Sequence, residues 1–357
     1  GKLCLHLLVA NGSSILMTMD VYAIDSPHFS VPIAEVFVLN RAAFQSATKH
    51  NDGSGSGFAL DEVACTVGFF DGVHRGHQHV LQSLQTAARE RGLSTLAVTF
   101  AQHPRSLVRN VAAPPSLTTL QEKIELIGDC HIDAVAVLNF TPEMAQLTAQ
   151  EFMQIVLHEG LGAEFLLMGY DHRFGRPKAD EGFADYVRYG ADLGIEVALC
   201  DKEEAELQLS SSSIRLLLEQ GNVAEANLLL GRSYKVSGTV VHGFQNGRKL
   251  GYPTANLEID TAKLVPHLGS YATWVEWRGQ RFAGMTNIGR RPTLNNGTQI
   301  SLETHLLDFK DDLYGESLTL EFIGRLRDEK RFEGLEHLKT QLAQDAEKTR
   351  EMLSKAL

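Results

Sequence analysis

The sequence predicts two fold classes in one chain, an α/β domain followed by an all-β domain. Three observations carry this. Between residues 63 and 199 short apolar runs alternate with stretches of helical spacing, the pattern of strands and covering helices in a mostly parallel sheet. After Gly231 the pattern changes to short strand-like runs separated by Gly- and Asn-containing turns, as in an antiparallel barrel or sandwich. The length of 357 residues gives room for about two domains with cores of their own.

Residues 1–34 show no clear period and receive no function, and residues 1–57 together read as an extension of unknown role. Within them, residues 35–39 read as an edge strand and residues 51–57, Asn-Asp-Gly-Ser-Gly-Ser-Gly, as a hydrophilic linker. Residues 63–70 read as a buried strand that breaks at Asp71-Gly72. Val80, Leu81, Leu84, Ala87, Ala88 and Arg91 follow at helical spacing, and Gly92 stops the helix. Strands are expected over 95–100, 134–138, 164–168 and 195–199, and helices over 120–127 and 183–192, the latter closed by Gly194. Thr148 opens a further helix, with Glu151 completing a capping box and Gly160 beyond its end. Two helical runs, 214–220 and 223–230, look like a bridge between domains. Strands are then expected over 234–241, 271–277, 280–287, 301–307 and 317–322. Leu335, Leu338, Leu342 and Ala346 describe a closing helix whose simplest role is packing on the barrel.

In open α/β sheets ligands bind at the carboxyl ends of strands. Three chemically loaded segments follow predicted strands: 68–77, 100–104 and 169–175. The first carries Gly68, Phe70, Asp71, Gly72, His74, Gly76 and His77 on a strand-to-helix turn. The helix N-terminus offers unpaired N–H groups and partial positive charge, which suits phosphate. Gly72 and Gly76 lack a Cβ, so a ligand can come close to the backbone. The plain alternative is a turn with surface histidines. Zinc is another, since Asp71, His74, His77 and His79 lie close, yet no cysteine or further carboxylate follows at ligand spacing.

Four serines, 210–213, are either a flexible linker or a helix N-cap. As a cap, Ser211, Ser212, the helix N–H groups and Arg215 suit a polyphosphate. In the barrel, Thr254 and Asn256 offer hard oxygen ligands two residues apart, suited to Mg²⁺ and phosphate. Glu303 alone reads as an ordinary strand glutamate.

Composition narrows the classes. Hydrophobic content of 43% and charged content of 22% are those of a globular protein. The net charge of −11 and the lack of a Lys/Arg-rich block argue against a broad nucleic-acid surface. No run reaches membrane-span length. The apolar run 3–10 is too short and too weakly preceded by positive charge for a secretory signal. The chain begins with Gly, and Met17 and Met19 are candidate starts. Cys4, Cys65, Cys130 and Cys200 are scattered, as free thiols of a reducing cytoplasm would be.

Taken together, Gly-x-Phe-Asp-Gly-x-His-x-Gly-His at 68–77 resembles the signature of the bacterial bifunctional riboflavin kinase/FMN adenylyltransferase (FAD synthetase) family. Phe100-x-x-His103-Pro104 resembles a family element too. So does Gly169-Tyr-Asp-His-Arg-Phe-Gly175, with His172 where the family has Phe. Residues 210–215 are similar to the family's Ser-Ser-Thr-x-Ile-Arg, with Ser212 at the Thr position. Gly251-Tyr-Pro-Thr-Ala-Asn256, Glu303-Thr-His-Leu306 and Leu313-Tyr-Gly315 resemble riboflavin kinases, as do Asn287 to Thr293 and the spacing of Arg327, Glu329 and Phe332.

The resemblance covers roughly residues 60–345. It implies a Rossmann-like nucleotidyltransferase domain over 58–207, bridging helices over 208–230 and a riboflavin-kinase barrel with its closing helix over 231–357, with 1–57 as an extension. It implies phosphorylation of riboflavin to FMN and adenylylation of FMN to FAD, with ATP as co-substrate and Mg²⁺. Glu303 is then the kinase base, Thr254 and Asn256 hold the metal, and Gly247, Arg248, Gly251 and Pro253 lie against ATP. Asn287, Arg327, Glu329 and Phe332 contact flavin. His74 and His77 stabilise the adenylyl transfer, and Ser211, Ser212 and Arg215 hold the departing phosphates. Asp171 is either a turn residue or, with Arg173, part of a flavin site. No nucleic acid, membrane or obligate protein partner is expected. The altered loop at 176–182 leaves a riboflavin kinase with an impaired first domain as the alternative. A nucleotidyltransferase for another phosphate would not explain the barrel motifs, and a flavin-binding regulator would not need Glu303 or the histidines.

Overall fold

The computed structural model describes residues 19–44, 62–101, 114–169, 173–176, 178, 180–201, 209–242, 252–292, 298–330 and 332–356. They form two compact units, the first ending before residue 209 and the second comprising 115–119 and the residues from 209 onward.

The first unit is built on seven strands: β1 (Asp20–Ile24), β2 (Ala34–Val38), β3 (Val63–Val67), β4 (Ser94–Phe100), β5 (Ala134–Leu138), β6 (Ala163–Met168) and β7 (Glu196–Leu199). Their order is β1-β2-β5-β4-β3-β6-β7. Strands β5, β4, β3, β6 and β7 run parallel, while β2 pairs antiparallel with both β1 and β5. Alternate residues of β3 serve opposite faces: Val63, Cys65 and Val67 join one buried cluster and Ala64 joins another. That is why the strand reads as a continuous apolar run rather than an alternation. The helices are α1 (Arg41–Phe44), α2 (Arg75–Arg91), α3 (Leu120–Asp129), α4 (Pro142–Gln146), α5 (Ala149–Glu151) and α6 (Phe183–Leu193), with a π-helix at Phe152–Gly160. Gly92 and Gly194 end α2 and α6 in the left-handed conformation, as their positions in the sequence predicted.

Three expectations for this unit need correction. The strand expected at 35–39 is not at the edge. It is β2, paired on both sides, and Val36 and Phe37 are buried on opposite faces. The edge is β1, whose first four residues are only half-buried. The sheet therefore draws two strands from residues 1–57, which were expected to supply only one edge strand to an extension of unknown role. The Thr148 capping box is present, but the α-helical part ends at Glu151 and the chain continues as a π-helix.

The second unit contains α7 (Ser211–Glu219), α8 (Val223–Leu230), β8 (Tyr234–Val241), β9 (Ala255–Ile259), β10 (Gly269–Trp277), β11 (Gln280–Pro292), β12 (Thr298–Leu306), β13 (Ser317–Arg327) and α9 (Leu335–Lys355). The six strands close into a barrel in the order β10-β11-β12-β9-β8-β13. Every neighbouring pair is antiparallel. Closure leaves no open edge. The interior is filled by Val236, Leu257, Tyr271, Val275, Ile288, Leu320 and Phe322. Ile214 and Leu218 of α7, with Val223, Ala226 and Leu230 of α8, belong to the same buried cluster. The two helices expected as a bridge are thus packed as part of the barrel unit. Strand β9 was not anticipated as a strand. Helix α9 covers other barrel residues, with Ala346 beside Met285 and Leu307, and Leu353 beside Ala272 and Leu326.

Candidate active sites

In the sheet, the chain runs from β3 to β4 and β5 on one side and then crosses to β6 on the other. The carboxyl end of β3 is therefore the topological switch point, where doubly wound sheets bind ligands. The segment 68–77 begins there. The Gly68 N–H donates to the Val98 carbonyl at 2.9 Å, and the Thr99 hydroxyl donates to the Phe69 carbonyl at 3.1 Å. These bonds tie the turn to β4. Phe70, Gly72 and Val73 have φ of 51°, 81° and 38°. A β-branched residue at positive φ is strained, and such strain persists where the surroundings over-determine it. Here the Val73 carbonyl accepts from Gln78 Nε2 at 2.8 Å, and Phe70 and Val73 are fully buried.

The turn delivers His74 to the N-cap of α2, where its Nδ1 accepts from the His77 N–H at 3.4 Å. The two imidazoles stack with centroids 3.7 Å apart and an 18° interplanar angle. Phe70 meets His77 edge-on at 5.3 Å. Gly76 lies in the first turn of α2. The two histidines the sequence paired are thus one stacked unit at a helix N-terminus.

Sequence reasoning missed Lys123. It is 2% exposed, donates to the Phe100 carbonyl at 3.1 Å, and lies 4.0 Å over the Phe69 ring. Burial pushes its ammonium down to about 8, and the nearby Asp71 carboxylate partly offsets this. The signal was present: Lys123 falls on the apolar stripe of α3, beside Ile124 and Ile127. Arg173 is exposed on an anchored loop. The Arg176 N–H donates to the Leu147 carbonyl at 2.7 Å, and Tyr186 donates to the Phe174 carbonyl at 3.1 Å. Gly175 has φ +80°, and a Cβ there would lie 2.4 Å from the Ala149 nitrogen, so no other residue fits without a shift. Asp171, His172, His103 and Pro104 lie outside the described residues.

Ser210 is the N-cap of α7 and forms a capping box with Ser213. Ser211 and Ser212 occupy the first turn, and Arg215 Nε donates to the Pro115 carbonyl at 3.0 Å. All belong to the second unit.

Among the described residues of the barrel, two cavities adjoin Thr254. One, of about 330 Å³, is lined by Pro253, Thr254, Asn256, Thr304, His242 and Tyr314. The other, of about 320 Å³, is lined by Glu303, Asn287, Arg327, Glu329 and Phe332. Thr254 lines both. Its Oγ1 donates to Glu303 Oε2 at 3.4 Å, while Asn256 is 6% exposed. Strand β9 with the residue just before it, and strand β12, thus bring together the two candidate oxygen ligands and the glutamate. A hydroxyl that donates to a carboxylate keeps its lone pairs for a cation. Two neutral oxygen donors fit Mg²⁺, which takes its remaining ligands from phosphates and water. The four barrel residues expected to meet flavin converge on the second cavity. Gly247, Arg248 and Gly251 lie outside the described residues.

His305 supports this region: its Nδ1 is 2.7 Å from the Pro253 carbonyl, and Tyr252 meets its ring at 5.1 Å. Burial lowers the affinity of His305 for a proton. The closing helix does more than pack, because Leu338, Leu342 and Asp345 also line the second cavity.

Residues 59–214 match the family model for FAD synthetase, and residues 230–353 match that for riboflavin kinase. The chain is 38% identical over 290 residues to the bifunctional riboflavin kinase/FMN adenylyltransferase of Escherichia coli, covering 80% of this chain and 91% of that protein. It is 36% identical over 291 residues to the protein of the same name from Listeria monocytogenes, covering 81% and 92%. A crystal structure described as a macrolide-efflux protein from Streptococcus pneumoniae is similar with a TM-score of 0.72 at 30% identity, over 84% of this chain and 96% of that one. Among the described residues here, no helix is long and apolar enough to cross a membrane.

Proposed function

The chain belongs to the bifunctional riboflavin kinase/FMN adenylyltransferase family, and on that premise we propose how its residues divide the two reactions. The enzyme phosphorylates riboflavin with ATP to FMN, then adenylylates FMN with ATP to FAD and pyrophosphate. Kinase activity alone is not favoured, since both domain families match. We assign phosphorylation to the barrel unit and adenylylation to the sheet unit.

One observation carries the kinase assignment: Thr254 lines both cavities and donates to Glu303. Riboflavin occupies the cavity of Asn287, Arg327, Glu329 and Phe332, and ATP the cavity of Pro253, Thr254 and Asn256. The ribityl 5′-hydroxyl then reaches Glu303, which takes its proton as the oxygen bonds to the γ-phosphorus and the bond to ADP breaks. Thr254 and Asn256 would hold Mg²⁺, which when bound supplies neutralisation of the phosphate charge.

In the sheet unit, an FMN phosphate oxygen attacks the α-phosphorus of ATP and pyrophosphate leaves. A phosphate is already a nucleophile, so no covalent enzyme intermediate is needed. His74 accepts at Nδ1, so its neutral ring carries the proton at Nε2. That N–H, with His77 and the first N–H groups of α2, stabilises charge on the transferring phosphate. Asp171 and Arg173 serve flavin binding.

Among the described residues, Cys65, Cys130 and Cys200 form no disulfide with one another, which supports a reducing cytoplasm as the place of action. No nucleic-acid or obligate protein partner enters the scheme. A chromatographic time course with riboflavin, ATP and Mg²⁺ tests it. FMN should rise first and FAD after it. FMN that accumulates without FAD, even when FMN and ATP are supplied directly, would overturn the assignment of the sheet unit.

A further inference from the structure

Arg327 lies at the end of β13 and lines the second barrel cavity. Its Nε donates to Asp345 Oδ2 at 2.9 Å, and its Nη1 donates to the Asp328 carbonyl at 3.2 Å. The guanidinium carbon sits 5.4 Å from the centre of the Phe332 ring. Two of the three guanidinium nitrogens are held by the protein and one face by an aromatic ring. Among the described residues, Nη2 has no protein partner. Asp345 is itself fixed. It is 4% exposed, and its second oxygen accepts from Gln341 Nε2 at 2.9 Å. The carboxylate has both oxygens engaged and lies in the wall of the same cavity.

We propose that Asp345 on the closing helix is a positioning residue for flavin: it locks the Arg327 guanidinium so that Nη2 is offered to an acceptor on the bound ring system. This rests on the reading of the cavity as the flavin site. An unheld arginine has to give up side-chain freedom each time a ligand binds, and pre-organisation removes that cost. The pair is mostly buried, with side-chain exposures of 19% and 6%. Removing the carboxylate therefore leaves a guanidinium that must find water or another partner. The alternative is that the ion pair only pins α9 to β13. It differs in what it predicts for ligand binding.

The test uses the full chain and follows riboflavin binding by flavin fluorescence, alongside kinase kinetics and melting temperature. Asp345→Asn preserves shape and removes the charge. Its riboflavin Kd should rise roughly tenfold, a coupling ordinary for residues in one ion-pair network, with the KM for ATP unchanged. In an Arg327→Ala background the same substitution should have no further effect on riboflavin Kd. A lowered melting temperature with unchanged riboflavin Kd would overturn the proposal in favour of pinning. An equal loss of affinity in both backgrounds would overturn it too, because Asp345 would then act without Arg327. If Asp345→Asn does not fold, Gln341→Met removes the other bond to the carboxylate and should give the same dependence on Arg327, with its absence again overturning the proposal. Wild-type riboflavin affinity in Arg327→Ala itself would instead reject the cavity as the flavin site.

Discussion

Asn256 on β9 and Glu303 on β12 stand directly opposite each other across the barrel ladder. Residues paired across an antiparallel ladder share a face, and the residue two before Asn256, Thr254, returns to that face. The hydrogen bond from Thr254 to Glu303 follows from this register. A one-residue slip would send either Asn256 or Glu303 to the opposite side. The kinase chemistry is thus built on strand pairing.

Glu303→Gln keeps the shape of the side chain and removes the base. FMN formation should fall by roughly 10² to 10⁴, the usual worth of a general base. FAD formation from supplied FMN and ATP should not change. Separate assays of the two steps check this, and an undiminished kinase rate would remove Glu303 as base. Chelation of Mg²⁺ should reduce the kinase rate at least as much.

His74→Asn separates capping from chemistry. Asparagine is a favoured N-cap, so α2 should keep its stability. FAD formation should fall by about 10² to 10³, the loss expected when one donor to a developing charge is removed. FMN formation should persist. Equal loss of both products would defeat the division of labour between units.

Lys123 lies buried beside Asp71 and over the Phe69 ring of the 68–77 segment, and we predict that its charge serves the adenylyl step and gives that step a pH limb. The folded value of about 8 lies below that of a free lysine, so the charge beside Asp71 is lost as pH rises through about 8. The FAD-forming rate should decline across that range while the FMN-forming rate does not share the decline. In Lys123→Met the rate should be low and the limb absent. A pH–rate profile of each step is the measurement, and an unchanged limb in Lys123→Met would reject the assignment.

His305 gives the barrel a different dependence. Burial is the main cause of its lowered proton affinity. The Pro253 carbonyl and Asp308 act against that effect, and Arg350 acts with it. The unfolded chain therefore binds more protons than the folded one at pH values just below the ordinary histidine range. Stability contributed by His305 is present above about 6.5 and is lost as pH falls toward the depressed folded value. Melting of the barrel between pH 7 and pH 5.5 should show this loss, and His305→Gln should flatten it.

Much of this was legible in the sequence. The βα alternation and the Gly stops at 92 and 194 follow from local pattern, whereas the grouping of Asn287, Arg327, Glu329 and Phe332 was expected only from the family resemblance. Strand β1 was not legible, because Asp20-Val-Tyr-Ala-Ile is short and its burial comes from a partner the sequence does not reveal. Strand β9 was hidden because its first residues, Ala255 and Asn256, read as a ligand loop. The π-helix differs from an α-helix in which carbonyl each N–H selects, and apolar spacing barely records that choice. Lys123 and Asp345 each place a charge on the buried stripe of a helix, and that conflict between pattern and chemistry could have marked both.

Thr254 is a lining residue common to the two barrel cavities, so the two chambers meet at one side chain. A single molecule joining a riboflavin-like ring to an adenosine polyphosphate through its ribityl end would fill both chambers at once. Each half would raise the local concentration of the other, so the joined compound should bind far more tightly than either fragment. That closeness at Thr254 sets the linker: a short phosphate bridge suits it, and a long flexible one would forfeit the gain.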